Sequence, residues 1–248
     1  MSIIERAPLS LRRNSSSIIV FGFHCTHVTP PKTSITCLMC LESIMLELPQ
    51  VTLIALTGQK FAEHDEAIKR SCEGINWGAV KLIYDYNINS IDRWNYAIIY
   101  DLWHYVDTEF AMLIHADGFV VNPQAWKDEF LAYDYIGAPW PLPGRDFLDD
   151  GYSYRTPEGD TIRVGNSVSI RSKRLLEAPS RLGLGWKSYY GNTNEDGFLC
   201  VHNESILRQQ GIKFAPLDVA RYFSKEHTIE ENKDIPPEEI FAFHQVDL

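Results

Sequence analysis

Short continuous apolar runs alternate with stretches of helical period along the first half of the chain. Residues 18–23 (IIVFGF), 51–56 (VTLIAL) and 80–86 (VKLIYDY) read as strands, the last two fully buried. Between the first two, Thr33 or Ser34 caps a helix whose apolar face is Leu38, Leu41, Met45 and Leu48. A polar helical stretch around 60–70 separates the second and third. Ile91, Trp94, Ile98, Leu102 and Tyr105 recur at helical spacing over about 91–105, directly ahead of a fourth strand, FAMLIH (110–115). Asn122 and Pro123 then take the cap and first-turn positions of a helix carrying Trp126 and Phe130. Strands alternating with helices predict an α/β fold whose sheet is mostly parallel and covered by helices on both faces.

The pattern changes after DYIGAPW (134–140). Residues 141–163 are rich in Pro, Gly, Asp and Arg without sustained period, which predicts a loop or hairpin. Beyond it come a strand in VGNSVSIRS (164–172), a helix beginning near Asn194-Glu195-Asp196, a strand around 212–216 and another in IFAFHQ (240–245). Residues 1–17 are polar, carry Arg6, Arg12 and Arg13, and read as a flexible leader, so the fold is expected to start at Ile18 and to form a single domain over 18–248.

Composition narrows the function classes. Apolar residues make up 45% and charged residues 23% of the 248, as in compact soluble proteins. The net charge of −10 works against sequence-independent binding to nucleic acid, which needs a surplus of Lys and Arg. No run is apolar enough for a spanning helix and the amino-terminal stretch lacks a signal-peptide core, so a cytoplasmic location is expected, with the leader's three arginines as a weak basis for peripheral contact with a membrane face. Five cysteines, an odd number, imply reduced thiols. Cys37 and Cys40 have redox-motif spacing but sit in an apolar helical pattern, which favours core packing. His24, Cys25 and His27 make a zinc site with them a minor alternative.

Several positions combine residue types that do chemistry. Residues two apart on a strand share a side, so His115 and Asp117 would both project beyond the carboxyl end of the sheet, where α/β proteins bind ligands. A hard oxygen with a borderline nitrogen suits Mn²⁺ better than Ca²⁺. The competing reading is a turn at Asp117-Gly118 and a core histidine. Glu195 and Asp196 after Asn194 are favourable capping chemistry, or supply a carboxylate base at a helix start facing a cleft. Gly165-Asn166 is a turn or a close backbone approach to a ligand. His244 is a packed histidine or a metal ligand, and Arg93 and Asn95 at a helix start face water or a phosphate. Trp140 and Trp186 fall in loops where a sugar ring could stack, with core packing as the rival. Absent are GxGxxG after the first strand, a GxxxxGK[ST] phosphate loop and a GxSxG elbow.

Taken in order, residues 95–141, VGNSVSIRSKRLL (164–176), NEDGFLC (194–200) and GIKFAP (211–216) resemble an uncharacterised glycosyltransferase-like family, and more broadly the GT-A type of glycosyltransferase. DYIGAPWP joined to the later GN-x-x-SIRS is the most specific part. The resemblance implies a GT-A-like, Rossmann-like fold, its sheet mixed but mostly parallel and flanked by helices, with a nucleotide-sugar-binding half (18–122) and an acceptor half (123–248). It implies transfer of a sugar from a UDP- or GDP-linked donor to a saccharide or glycoconjugate hydroxyl, metal-dependent and inverting, as in polysaccharide synthesis. Asp117 stands where the Asp-x-Asp motif binds a divalent metal, Mn²⁺ or else Mg²⁺. His115 replaces that motif's first acid, and His244 stands where many such enzymes bring a carboxyl-terminal histidine to the metal. Asp196 becomes the base with Glu195 beside it. His24, Arg93, Asn95, Asp117, Gly165 and Asn166 become donor contacts, and Trp140 and Trp186 acceptor contacts. Ser167-Val168 replaces the paired glycines expected after Gly165-Asn166. Two rival readings are a non-catalytic nucleotide-sugar or glycan-binding module and a metal-dependent hydrolase using His115, Asp117 and His244.

Overall fold

A computed structural model of the chain describes residues 3–9, 19–26, 45–141, 164–186 and 194–244. In chain order the elements are β1 (Ile3–Leu9), β2 (Ile19–Thr26), β3 (Leu46–Thr57), α1 (Phe61–Ser71), β4 (Ile75–Tyr84), α2 (Ile91–Tyr100), β5 (Phe110–Leu113), β6 (Gly118–Val120), β7 (Tyr135–Pro139), β8 (Val164–Ser172) and α3 (Lys173–Arg181). A helical turn α4 (Glu195–Gly197) runs straight into a π-helical turn (Phe198–His202). It is followed by α5 (Glu204–Gln209), α6 (Leu217–Phe223), β9 (Ser224–Lys225) and β10 (Ala242–His244). Among the described residues, no helix is long and apolar enough to cross a membrane.

Among the described residues, seven strands form one sheet in the order β1-β2-β4-β3-β5-β8-β7. The central pairs β3–β4 and β3–β5 are parallel, whereas β2–β4, β1–β2, β5–β8 and β7–β8 are antiparallel. The sheet is therefore mixed, as expected, but mostly antiparallel, which corrects the expectation of a mostly parallel one. A continuous apolar run reports burial on both faces but not strand direction, and direction here is set by which neighbour a strand meets. Residues 3–9, read as part of a loose leader, instead pair with β2 as the outermost strand. The helix expected over 33–48 lies largely outside the described residues, and its last turn is strand, with Leu48 buried in β3.

β3 carries the two-sided core. Leu53 and Ala55 pack on one face with Met112 of β5, Ile68 of α1, Phe130 and Phe223, while Ile54 and Leu56 pack on the other with Ile98 of α2, Leu102 and Leu176 of α3. That alternation is the two-residue period of a strand buried on both sides. The helical pattern over 91–105 resolves into α2 and a 3₁₀ turn (Leu102–Tyr105). The helix expected after Asn122 is two 3₁₀ turns (Pro123–Ala125 and Asp128–Ala132), which still bring Trp126 onto Phe130 and Phe241. The strand expected near 212–216 reduces to a single bridge between Tyr135 and Phe214.

Asp134, immediately before β7, ties three segments together. Its carboxylate accepts from Ser172 Oγ (2.6 Å), Arg174 Nε and Nη2 (2.7 and 2.6 Å) and the Lys213 amide (2.8 Å). Burial pushes its pKa up, but Arg174, Ser172 and the Lys213 amide more than offset that, and the net shift is downward. A carboxyl depressed in the folded state stabilises the protein above the ordinary carboxylate range and loses that contribution as the pH falls through its folded value. Asp134→Ala should therefore cost about 2–3 kcal/mol in urea unfolding at neutral pH, and the variant's stability should depend less on pH in the acid range than that of the wild type.

Candidate active site

β3 and β5 end at the same edge of the sheet, and the antiparallel β8 begins there while β7 ends there. Past β5 the chain turns tightly. The His115 amide donates to Gly118 O (2.8 Å) and the Gly118 amide returns to His115 O (3.4 Å), which leaves Asp117 at the tip with its side chain 60% exposed. β6 leaves this turn and pairs antiparallel with β10, in a register that sets His244 opposite Gly118. The pairing is reinforced from two sides. The Val120 amide donates to Ser71 Oγ (3.2 Å), and the Asn122 side-chain amide donates to Pro237 O and Ile240 O (2.8 Å each). Asn122 thus makes no helix cap and instead clamps the carboxyl-terminal segment. Gly118 is required by close approach, since a Cβ there would collide with the Val168 side chain and stand 2.6 Å from His244 Cδ2.

His244 is the meeting point of two carboxylates. Its Nε2 lies 3.7 Å from Asp117 Oδ1 and its Nδ1 3.3 Å from Glu226 Oε1. The His115 ring stands beside it, 5.3 Å between centroids, with the Trp94 ring 4.8 Å away from His115. His115 Nε2 is buried without a hydrogen-bond partner. Burial, followed by the neighbouring His244, His64 and Arg171, holds the His115 pKa well below its ordinary value, so this imidazole is neutral. One carboxylate oxygen and one imidazole nitrogen facing each other across an exposed turn fit a hard-to-borderline divalent cation, with Glu226 behind the ring in the place a supporting carboxylate takes. Asp117 and His244 are the residues that would hold it. Among the described residues, no group of three or more His, Cys, Asp or Glu stands in metal-holding geometry.

Across the site, Asp196 sits half-buried at the start of α4 and accepts from the Gly197 amide (2.8 Å). Its pKa is raised to about 7. Burial is the main cause and Glu195 the next, with Glu226 adding to them against the Gly197 amide and Arg171. Glu195 itself points away into the interior. Its Oε2 lies 2.8 Å from Arg171 Nη2, both side chains being 0% exposed, and its backbone amide donates to the buried Asn95 Oδ1 (3.1 Å). The guanidinium also donates to Ser169 Oγ (2.9 Å) and stacks on Tyr135 at 5.2 Å. Two residues expected at the surface of the site, Glu195 and Asn95, therefore lie beneath it and fix where Asp196 stands.

Thr57, Gly58, Gln59, Ile88, Ser90 and Trp94 line a cavity of about 380 Å³ at the ends of β3 and β4. Trp94 forms its wall, anchored by an indole hydrogen bond to Leu56 O (2.8 Å), and links it to His115. Arg93 is exposed beside this cavity, on the first turn of α2. Gly165 is buried directly under the Trp140 indole, which a Cβ at that position would strike, so a residue expected at the donor and one expected at the acceptor form a single wall. Asn166 follows in β8 at the same edge. Trp186 packs on Tyr96 of α2 at 6.1 Å, and Tyr96 on Tyr100 at 4.7 Å. His24 is a correction. With β2 antiparallel to β4, Ile19 pairs with Tyr84 at the site edge, and the chain then carries His24 five residues, about 17 Å, toward the other end. His27, Cys37, Cys40 and residues 142–163 lie outside the described residues, while Cys72 and Cys200 are buried and in no disulfide. A second cavity, about 420 Å³, opens at the opposite edge beside Asp134 and Arg174.

The sequence reading missed Glu226, Arg171 and the Thr57–Gln59 turn. Arg171 had a signal, a cation inside an otherwise apolar strand. Glu226 had none, since nothing local distinguishes it from the other acids near it.

A family described as "Protein of unknown function (DUF5672)" matches residues 79–244, which span all the site elements from α2 to β10. Among curated proteins nothing matches.

Three substitutions test this geometry. Gly118→Ala should cost about 1–3 kcal/mol in thermal unfolding and displace the His244 ring, read from its NMR shifts. Arg171→Met should cost about 3–5 kcal/mol by stranding the Glu195 charge, and the double variant Arg171→Met/Glu195→Gln should recover much of that in a double-mutant cycle.

Proposed function

We propose that this chain, which belongs to the DUF5672 family, is a glycosyltransferase that moves a sugar from a UDP- or GDP-linked donor to a hydroxyl of a saccharide or glycoconjugate. The observation that carries the reading is the Asp117–His244 pair together with a carboxyl, Asp196, whose pKa is raised to about 7 and which feels the charge of Glu226 behind the His244 ring. The nucleotide fits the cavity bounded by Thr57, Gly58 and Trp94, because Trp94 is in contact with the His115 ring and so places the diphosphate end toward Asp117. A divalent cation, Mn²⁺ or Mg²⁺, bound by Asp117 and His244 would offset the negative charge that grows on the departing diphosphate.

The chain's own residues account for the remaining chemistry. The ionised Asp196 takes the proton of the acceptor hydroxyl, the oxygen bonds to the anomeric carbon from the side opposite the diphosphate, and the bond to the diphosphate breaks, which inverts the configuration. Asp196 is suited to this because its burial and the charge of Glu195 raise its proton affinity without protonating it fully at neutral pH. Glu195 acts as a positioning residue, held by Arg171 and Asn95. On the acceptor side, Trp140 over Gly165 and the Trp186–Tyr96 pair present ring faces on which a sugar can stack.

A screen of UDP- and GDP-sugars with Mn²⁺ and saccharide acceptors tests the reading. Asp196→Asn should keep donor binding by calorimetry and lose about 10²–10⁴ in transfer rate. In the wild type, kcat/KM should rise with pH through about 7, as Asp196 loses its proton, and then level off. Nucleotide binding with neither transfer nor hydrolysis would identify a binding module instead, and donor cleavage indifferent to acceptor a hydrolase.

A further inference from the structure

Glu226 precedes His227 on the segment after β9, in a stretch where sequence offers no motif, and β9 lies beside β10 through a parallel pairing of Ser224 with Ala242 and Lys225 with Phe243. That register brings the next residue of the segment, Glu226, level with His244. The Glu226 side chain is only 14% exposed, and its Oε1 stands 3.3 Å from His244 Nδ1 while Asp117 Oδ1 stands 3.7 Å from Nε2 on the other side of the same ring. Glu226 Oε2 also lies 3.7 Å from Nε2 of the half-exposed His227.

We infer that Glu226 is a positioning residue that fixes the tautomer of His244. This inference rests on the proposed metal-assisted reading of the site. Of the two carboxylates that flank the ring only Glu226 stands within hydrogen-bonding distance, 3.3 Å from Nδ1 against 3.7 Å from Asp117 to Nε2, so a neutral His244 carries its hydrogen on Nδ1 toward Glu226 and turns the Nε2 lone pair toward the side where Asp117 stands. Only that tautomer offers two electron-pair donors, one from each residue, to a shared cation. A histidine with the hydrogen on Nε2 would instead donate to Asp117 and close the position. Gly118 is what allows the ring to lie this close to the turn. Supporting carboxylates of this kind are worth about 10–100-fold in metal affinity.

The test uses the full chain with two variants, Glu226→Ala and Glu226→Gln, and two readouts. Long-range proton–nitrogen NMR correlations on metal-free protein report the His244 tautomer, and EPR of free Mn²⁺ in titrations with UDP present reports metal affinity. Wild type is expected to show the Nδ1–H form. Glu226→Ala should shift the ring toward Nε2–H and weaken Mn²⁺ binding about 10–100-fold, with Glu226→Gln losing less because its amide oxygen still accepts. Thermal unfolding of both variants separates a lost fold from a lost ligand, and Glu226→Gln keeps the side chain's shape should Glu226→Ala fail to fold. Wild-type His244 protonated on Nε2, or Mn²⁺ affinity unchanged in both variants while the wild type binds tightly, would overturn the positioning role and leave the reading of the site standing. A wild type that binds no Mn²⁺ with UDP present overturns both.

Discussion

Three residue pairs between β6 and β10 hold the two ends of the candidate site together. Ala242 with Val120, Phe243 with Phe119 and His244 with Gly118 join a segment near the end of the chain to the turn that follows the central strand β5. So short a ladder does not stand by itself. It persists because Ser71 of α1 accepts from one strand, the Asn122 amide clamps the approach to the other, and Phe241 packs among Trp126, Phe130 and Phe223. His244 meets Asp117 only through this ladder, and Glu226 meets His244 only because β9 pairs along its other side.

The opposite wall depends on a different force. Arg171 and Glu195 are fully buried, and an ion pair of that kind contributes little net stability once the cost of taking both charges out of water is counted. Its structural consequence is placement. The pair pulls α4 onto β8 while Asn95 takes the Glu195 amide, so that Asp196, one residue on, is left at the boundary between interior and cleft. Burial at that boundary is the main cause of the raised proton affinity of Asp196, with the charge of Glu195 adding to it and Arg171 opposing it. The ion pair thus sets position, burial sets acidity, and on the proposed reading a base that works near neutral pH is their joint product.

Some of this was legible along the chain. The runs 51–56 and 110–115 declared themselves as buried strands because a strand covered on both faces has no polar alternation to hide it, and α2 showed its period through Trp94 and Ile98, although Ile91, expected on the same face, is exposed. The turn at His115–Gly118 and the helix start at Glu195–Asp196 were legible as local chemistry, two residues at a time. Strand direction was not. His24 was expected among the donor contacts, and the antiparallel pairing of β2 with β4 carries that residue away from the site edge. Nor could sequence divide labour between Glu195 and Asp196, neighbours of like charge whose environments differ only through Arg171 and Asn95, residues 24 and 100 positions away.

The amino-acid sequence by itself therefore determined the buried central strands, the helices over their faces and the short-range pairs of chemical groups, because these follow from local periodicity and covalent proximity. Tertiary structure alone decided which carboxylate faces the cleft, which histidine meets Asp117 and that Glu226 stands behind it. Those outcomes depend on backbone pairings and buried charges between segments distant along the chain, and the energy that selects them exists only once the segments have met.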